Sequence, residues 1–204
     1  MGQSVIIFGK SGSGKSRSLI NFKEDEITLI NTIGKLLPFS KKFRYSATVS
    51  DAEVIKAALK KMPTKTAVID DAGYLMTTMF MKQHTQKDSF KMFNDLADMM
   101  WNLFCFIKDD LPQDIIVYWM FHEETSDLGE TKIRTIGKLL DQKVTLEGMV
   151  TICLHCVVNN GKHVFVTQSD GTDISKSPEG LWDSLEIPND LKAVDDAIRS
   201  YWGL

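Results

Sequence analysis

Gly9-Lys10-Ser11-Gly12-Ser13-Gly14-Lys15-Ser16 is the stretch of the sequence that decides the fold. It matches G-x-x-x-x-G-K-[ST], a loop whose backbone N–H groups cradle phosphates at the start of a helix. Residues 4–8 before it form an apolar run typical of a buried parallel strand, and residues 17–22 after it can continue as a helix. Strand, loop and helix in this order predict a phosphate-binding P-loop rather than a glycine-rich turn that binds nothing.

The residue types of this loop predict how a nucleoside triphosphate would be held. Glycines permit positive φ angles and a close approach of the backbone to a ligand. Lys15 can reach the β- and γ-phosphates, and the Ser16 hydroxyl can coordinate Mg²⁺. We therefore expect ATP and Mg²⁺ as cofactors and a nucleotide-binding segment made of Gly9, Lys10, Ser11, Gly12, Ser13, Gly14, Lys15, Ser16 and Arg17.

Length and composition favour one soluble domain. The chain has 204 residues, of which 43% are hydrophobic and 25% charged. A net charge of −3 gives no basic field of the kind typical of a dedicated nucleic-acid-binding module, although a local basic patch remains compatible with it. No apolar run reaches the roughly 18 residues of a membrane helix, and three cysteines make no disulfide framework. Because the sequence enters the first predicted strand directly, we expect no signal peptide. We expect a cytoplasmic protein that does not contact membranes.

Hydrophobic periodicity predicts alternating strands and helices along the remaining chain. Strands are expected at 26–31, 66–69, 115–121 and 144–158, the last turning at residues 159–162 into a hairpin strand at 164–167. Helices are expected from a capping box at Ser50, along an apolar stripe from Phe90 to Ile107, and from an N-cap at Asn189. Residues 32–46 and 122–143 are expected to be irregular. The pattern predicts one α/β domain over residues 1–204, with a mainly parallel central sheet flanked by helices and a C-terminal β-hairpin.

An acidic pair, Asp70-Asp71, follows the apolar strand at 66–69. One α/β unit after a P-loop, such a pair is expected to hold Mg²⁺ rather than to be a simple turn or N-cap. We assign Mg²⁺ binding to Asp70, together with Ser16, and the activation of the attacking water to Asp71. The strand between the P-loop and this pair fits ATPases with an inserted strand better than the simplest nucleotide-kinase layout.

His122 follows the fourth predicted strand. Ligands of open α/β sheets bind beyond the carboxyl ends of the strands, so His122 is expected to face the γ-phosphate and to report hydrolysis. The alternative is a strand-end histidine bonded to a carbonyl group.

Several motifs together resemble the RecA-like phage nucleotide-binding proteins, which include ATPases tied to single-strand annealing and recombination. The resemblance spans about Val5 to Trp182 and implies a RecA-like core over about 4–182, a C-terminal helix at about 189–202 and, for a phage-encoded protein, the host cytoplasm. The motifs that carry the resemblance are the P-loop followed by Arg17-Ser18, Val68-Ile69-Asp70-Asp71-Ala72, Phe121-His122-Glu123-Glu124, Ile136-Gly137-Lys138-Leu139-Leu140-Asp141, Asp170-Gly171-Thr172 and Lys176-Ser177-Pro178.

The resemblance also implies partners. RecA-like proteins place a DNA-contacting loop where this chain has residues 122–143, which makes Lys132, Arg134 and Lys138 candidate contacts to single-stranded DNA; a solvated loop is the alternative. It implies a homo-oligomer, ring or filament, in which Lys176 reaches the neighbouring subunit's site, because no cation is expected near Asp71 or His122 of the same chain. Arg134 and Lys138 are second choices for this finger.

One departure from RecA concerns the catalytic carboxylate, which in RecA lies at the end of the second strand. Here that place reads Ile30-Asn31-Thr32 without an acid, so Asp71 is the substitute. The sequence thus favours a Mg²⁺-dependent ATPase acting on single-stranded DNA in recombination, annealing or replication, or a related packaging or assembly factor. The alternative is a small-molecule or nucleotide kinase, which usually carries an arginine-rich lid that this sequence does not offer.

Overall fold

The fold is that of a computed structural model, which describes residues 1–85 and 88–204. In chain order the strands within these residues are β1 (Gln3–Gly9), β2 (Ile27–Asn31), β3 (Tyr45–Thr48), β4 (Thr66–Asp70), β5 (Ile116–Thr125), β6 (Thr131–Ile133), β7 (Ile152–Asn159), β8 (Lys162–Val166) and β9 (Glu186–Pro188). These nine strands form one mixed sheet in the order β3-β2-β4-β5-β1-β7-β8-β9, with β6 beside β5. The six strands from β3 to β7 in this order are parallel, whereas β6, β8 and β9 are antiparallel to their neighbours.

Helices cover both faces of the sheet. They are α1 (Ala52–Lys61), α2 (Gly73–Gln83), α3 (Ser89–Asp110), α4 (Leu191–Trp202) and a short 3₁₀ helix, Ser16–Asn21, directly after the P-loop. Among the described residues, no helix combines the length and the apolar character needed to cross a membrane.

Alternation along β1 creates two separate cores. Ile6 and Phe8 pack on one face with residues of α1, α2 and α3, whereas Val5 and Ile7 pack on the other face with the 3₁₀ helix and α4. Successive side chains of a strand point to opposite faces, so a strand covered on both sides must be apolar throughout. The expected α/β domain with a mainly parallel sheet, flanking helices and a C-terminal hairpin, β7–β8, is confirmed.

The differences from the expected elements are local. The N-caps are Asp51 and Asp190, one residue after Ser50 and Asn189, and each accepts two backbone N–H groups. Phe90 is 76% exposed, so it does not belong to the buried stripe of α3.

Strand boundaries also differ. Residues 140–149 form two short helical turns instead of the start of the strand, and Thr145 between them has a φ of 50° that interrupts regular backbone. Strands β3, β6 and β9 were not expected. They are only three or four residues long, too short to show a hydrophobic period.

A buried carboxylate fastens α4 to the sheet. Asp195 accepts hydrogen bonds from Thr66 Oγ1 at 3.1 Å, from the Tyr118 hydroxyl at 3.0 Å and from Arg199 Nε at 2.8 Å. Arg199 also donates to the backbone carbonyl of Asp114 at 2.9 Å. Because every member is paired, the network stabilises this one arrangement of helix and sheet.

We expect Asp195→Ala to lower the free energy of unfolding by about 3 kcal/mol, because it leaves the buried Tyr118 hydroxyl without its acceptor and removes the ion pair of the partly buried Arg199. The neighbouring Asp196 is exposed and pairs with Lys192. Asp196→Ala is the matched control and should cost about 0.5 kcal/mol or less. Urea unfolding of both variants measures the difference, and equal losses would contradict the structural role of Asp195.

Candidate functional site

The carboxyl ends of β1, β4 and β5 converge on one edge of the sheet. β5 lies between β1 and β4, and its His122 is level with Gly9 at the end of β1. Residues that follow these strands therefore meet at this edge, as expected for a ligand site in an open α/β sheet.

The P-loop wraps around the ammonium group of Lys15. Lys15 is 6% exposed and donates to the backbone carbonyls of Gly9 at 2.6 Å and Lys10 at 2.8 Å. Burial lowers the pKa of Lys15, since removal from water disfavours the charged form. Gly14 has a φ of 111°, and a Cβ atom there would lie 2.8 Å from His163 Nδ1. Only glycine satisfies both restrictions, so the loop is fixed in this shape.

Ser16, at the end of the P-loop, contacts Asp70, the last residue of β4, although β5 lies between β1 and β4 in the sheet. The Ser16 hydroxyl is 3.0 and 2.9 Å from the two carboxylate oxygens of Asp70, which is 5% exposed. Burial, and then the charge of Asp71, raise the pKa of Asp70. A hydroxyl and a carboxylate are hard oxygen ligands of the kind that Mg²⁺ prefers, so the pair fits the predicted metal position.

Asp71 occupies a constrained position next to this pair. Its φ is 57°, an uncommon angle for a residue with a side chain, and Thr32 Oγ1 donates to its carbonyl at 2.8 Å. The two carboxylate oxygens of Asp71 contact different partners: Oδ1 lies 3.2 Å from His122 Nε2, and Oδ2 lies 2.8 Å from Lys35 Nζ. Burial acts to raise the pKa of Asp71, but the hydrogen bonds to His122 and Lys35 prevail and lower it to about 2.

Lys35 is a residue of the site that the sequence analysis missed. The expectation that no cation of the same chain lies near Asp71 or His122 is wrong, because Lys35 bonds directly to Asp71. Its ammonium group also lies 5.3 Å from the centre of the Tyr74 ring, and the bond to Asp71 raises the pKa of Lys35. The available signal was the Asn31-x-x-Gly34 turn at the end of β2, which returns the chain to the sheet edge.

These side chains line one cavity of about 340 Å³. Its walls come from the P-loop, the acidic pair, two histidines and the turn after β2. The lining residues are Ser11, Gly12, Gly14, Lys15, Ser16, Arg17, Lys35, Leu36, Pro38, Asp70, Asp71, His122 and His163. The structure thus brings together most of the residues predicted to bind phosphate and metal.

His122 lies inside β5 rather than at its end, because the strand continues to Thr125. The continuation pairs with β6, so part of the segment expected to be irregular is a hairpin. His122 faces Asp71, and its ring meets the Tyr74 ring edge-on with centroids 6.1 Å apart. The carbonyl-bonded alternative does not describe this contact, because the partner of Nε2 is a carboxylate.

A second cluster, Glu123–His155–Asp173, lies at the same edge and was also missed. His155 Nε2 is 2.7 Å from Glu123 and Nδ1 is 2.6 Å from Asp173, while its ring stacks on Phe8. Burial acts to lower the pKa of His155, but the hydrogen bonds to the two carboxylates raise it overall. The cluster therefore links β1, β5, β7 and the loop that contains Asp173.

The remaining predicted residues lie outside the cavity. Lys132 pairs with Asp141 and, at 3.7 Å, with Glu124, whereas Arg134 and Lys138 are exposed. Lys176 exchanges two backbone hydrogen bonds with Cys153, which is level with Ile6 of β1 and thus below the P-loop edge. Within this chain the structure does not bring Lys176 to Lys15.

Comparisons with protein-family models and with curated proteins give no match for this chain.

We expect the stabilising effect of His155 to depend on pH. A histidine whose pKa is raised by folding contributes stability that is complete below its unfolded pKa of about 6.5 and is lost as the pH rises through its folded pKa. The difference in unfolding free energy between wild type and His155→Asn should therefore shrink above pH 6.5.

Chemical denaturation at a series of pH values measures this difference. His84→Asn, a change at an exposed histidine outside the cluster, is the control. A constant difference for His155→Asn would show that the two carboxylates do not hold a proton on the ring.

Proposed function

We propose that the chain is a Mg²⁺-dependent ATPase of the RecA-like phage type that acts on single-stranded DNA in recombination, annealing or replication. The observation that carries the proposal is the contact between Ser16 and Asp70. It places a P-loop hydroxyl and a strand-end carboxylate where one cation can bind both, beside a buried lysine that can face the phosphates.

The metal would be shared between protein and nucleotide. Among the described residues, no group of three or more His, Cys, Asp and Glu side chains is arranged to hold a metal ion. Mg²⁺ commonly uses only one or two protein ligands and completes its shell with water and substrate phosphates. Ser16 and Asp70 match this mode, and the bound ion would neutralise charge on the phosphates.

The order of strands supports an ATPase over a nucleotide kinase. β2 comes between the P-loop and the acidic strand β4 along the chain, which is the inserted strand expected to favour an ATPase, and in the sheet β5 separates β4 from the P-loop strand β1. The kinase alternative differs in product: hydrolysis releases inorganic phosphate, whereas a kinase transfers the phosphate to a second substrate.

Asp71 is better suited to positioning than to proton abstraction. Both of its carboxylate oxygens lie within 3.2 Å of a nitrogen, from His122 on one side and Lys35 on the other. A general base needs an oxygen that can reach the attacking water. We therefore propose that Asp71 orients Lys35 and His122 at the phosphate site.

We expect Lys15→Ala to bind ATP more weakly and to lose ATP hydrolysis, because the charge aimed at the phosphates is removed. Phosphate release and nucleotide binding, measured on the same sample, test this. Lys61→Ala is the control, since Lys61 is exposed in the last turn of α1 and should keep full turnover. Hydrolysis by Lys15→Ala at the wild-type rate would refute the proposed site.

Two segments that are rich in lysine and arginine support the DNA part of the proposal. Residues 27–50 contain Lys35, Lys41, Lys42 and Arg44 but no aspartate or glutamate, in a chain whose net charge is −3. Lys42 and Arg44 are exposed. The second segment directly follows β6, and its Arg134 and Lys138 are also exposed. Arg134 also donates its backbone N–H to the carbonyl of His122, which connects this segment to the site.

We expect single-stranded DNA to bind in the presence of ATP, and its affinity to fall steeply with salt because phosphate contacts carry it. The double variants Lys42→Ala/Arg44→Ala and Arg134→Ala/Lys138→Ala should each weaken binding and flatten the salt dependence. Fluorescence anisotropy with a labelled oligonucleotide measures both, with Lys61→Ala as control. Undetectable binding by the wild type at low salt would refute the DNA role and leave the ATPase proposal in place.

A further inference from the structure

We propose that Lys35 is a catalytic residue that binds the γ-phosphate within its own chain, so that the positive charge needed for phosphoryl transfer does not come from a neighbouring subunit. The inference rests on the proposed ATPase function and assigns the cation that its site requires. It follows from three features of the structure: a turn that aims Lys35, a pair of contacts that hold it, and its place on the cavity wall.

The turn is built by Asn31, the last residue of β2. Its Oδ1 accepts the backbone N–H groups of Ile33 at 3.3 Å and Gly34 at 2.7 Å, and its Nδ2 donates to the carbonyl of Lys35 at 2.6 Å. Gly34 has a φ of 75°, which suits glycine. The residue that stands in place of an acid at the end of this strand therefore fixes the backbone that carries Lys35.

The side chain of Lys35 is held without being buried. Its ammonium group bonds to Asp71 Oδ2 at 2.8 Å and lies 5.3 Å from the centre of the Tyr74 ring. The side chain remains 54% exposed and borders the same cavity as Lys15 and Ser16. An ammonium group carries three donors, so Lys35 can keep its bond to Asp71 while it donates to a phosphate oxygen.

The charges around the cavity give Lys35 a chemical role. Asp70 and Asp71 bring two negative charges to the site where a triphosphate would bind, and His122 and Lys35 lie against Asp71. In hydrolysis, water attacks the γ-phosphorus and gives up its proton to a phosphate oxygen and then to solvent, the bond from that phosphorus to the bridging oxygen breaks, and ADP leaves with the bonding electrons. Charge on the transferred group and the bridging oxygen is stabilised by cations, which often include an arginine or lysine besides the P-loop lysine. Lys35 stays protonated throughout and acts only as a donor.

The test compares Lys35→Ala with the wild type and with Lys35→Arg. We expect Lys35→Ala to bind ATP within about threefold of wild type but to lose about 100-fold or more in kcat, since a transition-state donor is removed. Lys35→Arg should recover part of the rate. Lys65→Ala is the matched control: Lys65 also pairs with an aspartate, Asp114, but at the opposite end of the sheet, and its loss should leave kcat unchanged.

A transition-state analogue separates catalysis from structure. ADP with aluminium fluoride should bind the wild type more tightly than ADP alone, and Lys35→Ala should lose most of this difference. Lys35→Gln keeps a donor to Asp71 but removes the positive charge. We expect it to lose the extra affinity for the analogue as Lys35→Ala does, because the charge stabilises the transition state. Urea unfolding of each variant shows that the comparison is made on folded protein.

Mixing variants tests whether Lys35 acts within its own chain. Lys35→Ala mixed with Lys15→Ala should remain inactive, because no subunit then has both lysines. Recovery of turnover in the mixture, or wild-type kcat in Lys35→Ala with wild-type affinity for the analogue, would overturn the assignment of Lys35 while leaving the ATPase proposal intact. Absence of turnover in the wild type would overturn both.

Discussion

The parallel register of β1, β5 and β4 is the constraint on which the site depends. Gly9 and His122 lie side by side in the sheet, and β5 separates the P-loop strand from the acidic strand. Strands that are parallel bring all their carboxyl ends to one edge, so the residues after each strand face the same space. The apolar faces of β1 belong to two different cores, and a slip of one residue would exchange them. Core packing thereby fixes the positions of the polar groups.

The adjacent carboxylates Asp70 and Asp71 have different environments and, we propose, different tasks. Burial and the neighbouring charge raise the pKa of Asp70, whose contact is the neutral hydroxyl of Ser16. Hydrogen bonds to His122 and Lys35 lower the pKa of Asp71 despite its burial. Asp71, unlike Asp70, has a positive φ, of 57°. A carboxylate with a hydroxyl partner suits a cation, whereas one already bonded to two nitrogens suits the placement of those groups.

The sequence predicted the parts of the site that are encoded locally. The P-loop is contiguous, and Asp70 follows an apolar strand, so Lys15, Ser16 and Asp70 could be identified before their meeting was seen. Lys35 and the cluster of Glu123, His155 and Asp173 were missed, because their partners lie 18 to 36 residues away along the chain and no contiguous motif joins them. Short edge strands such as β3 were missed for a related reason: their pairing comes from the neighbouring strand, and four residues carry no measurable period.

The central claim is that Ser16 and Asp70 bind the metal of a metal–nucleotide complex. It is tested most directly by calorimetric titration of ATP into the protein, once in the presence of Mg²⁺ and once in the presence of EDTA. The account predicts that Mg²⁺ tightens ATP binding to the wild type by about tenfold or more, equivalent to about 1.4 kcal/mol. Asp70→Asn should lose most of this gain, whereas Asp114→Asn, a change at a partly exposed carboxylate that pairs with Lys65, should keep it. An equal effect of Mg²⁺ on wild type and Asp70→Asn would contradict the account.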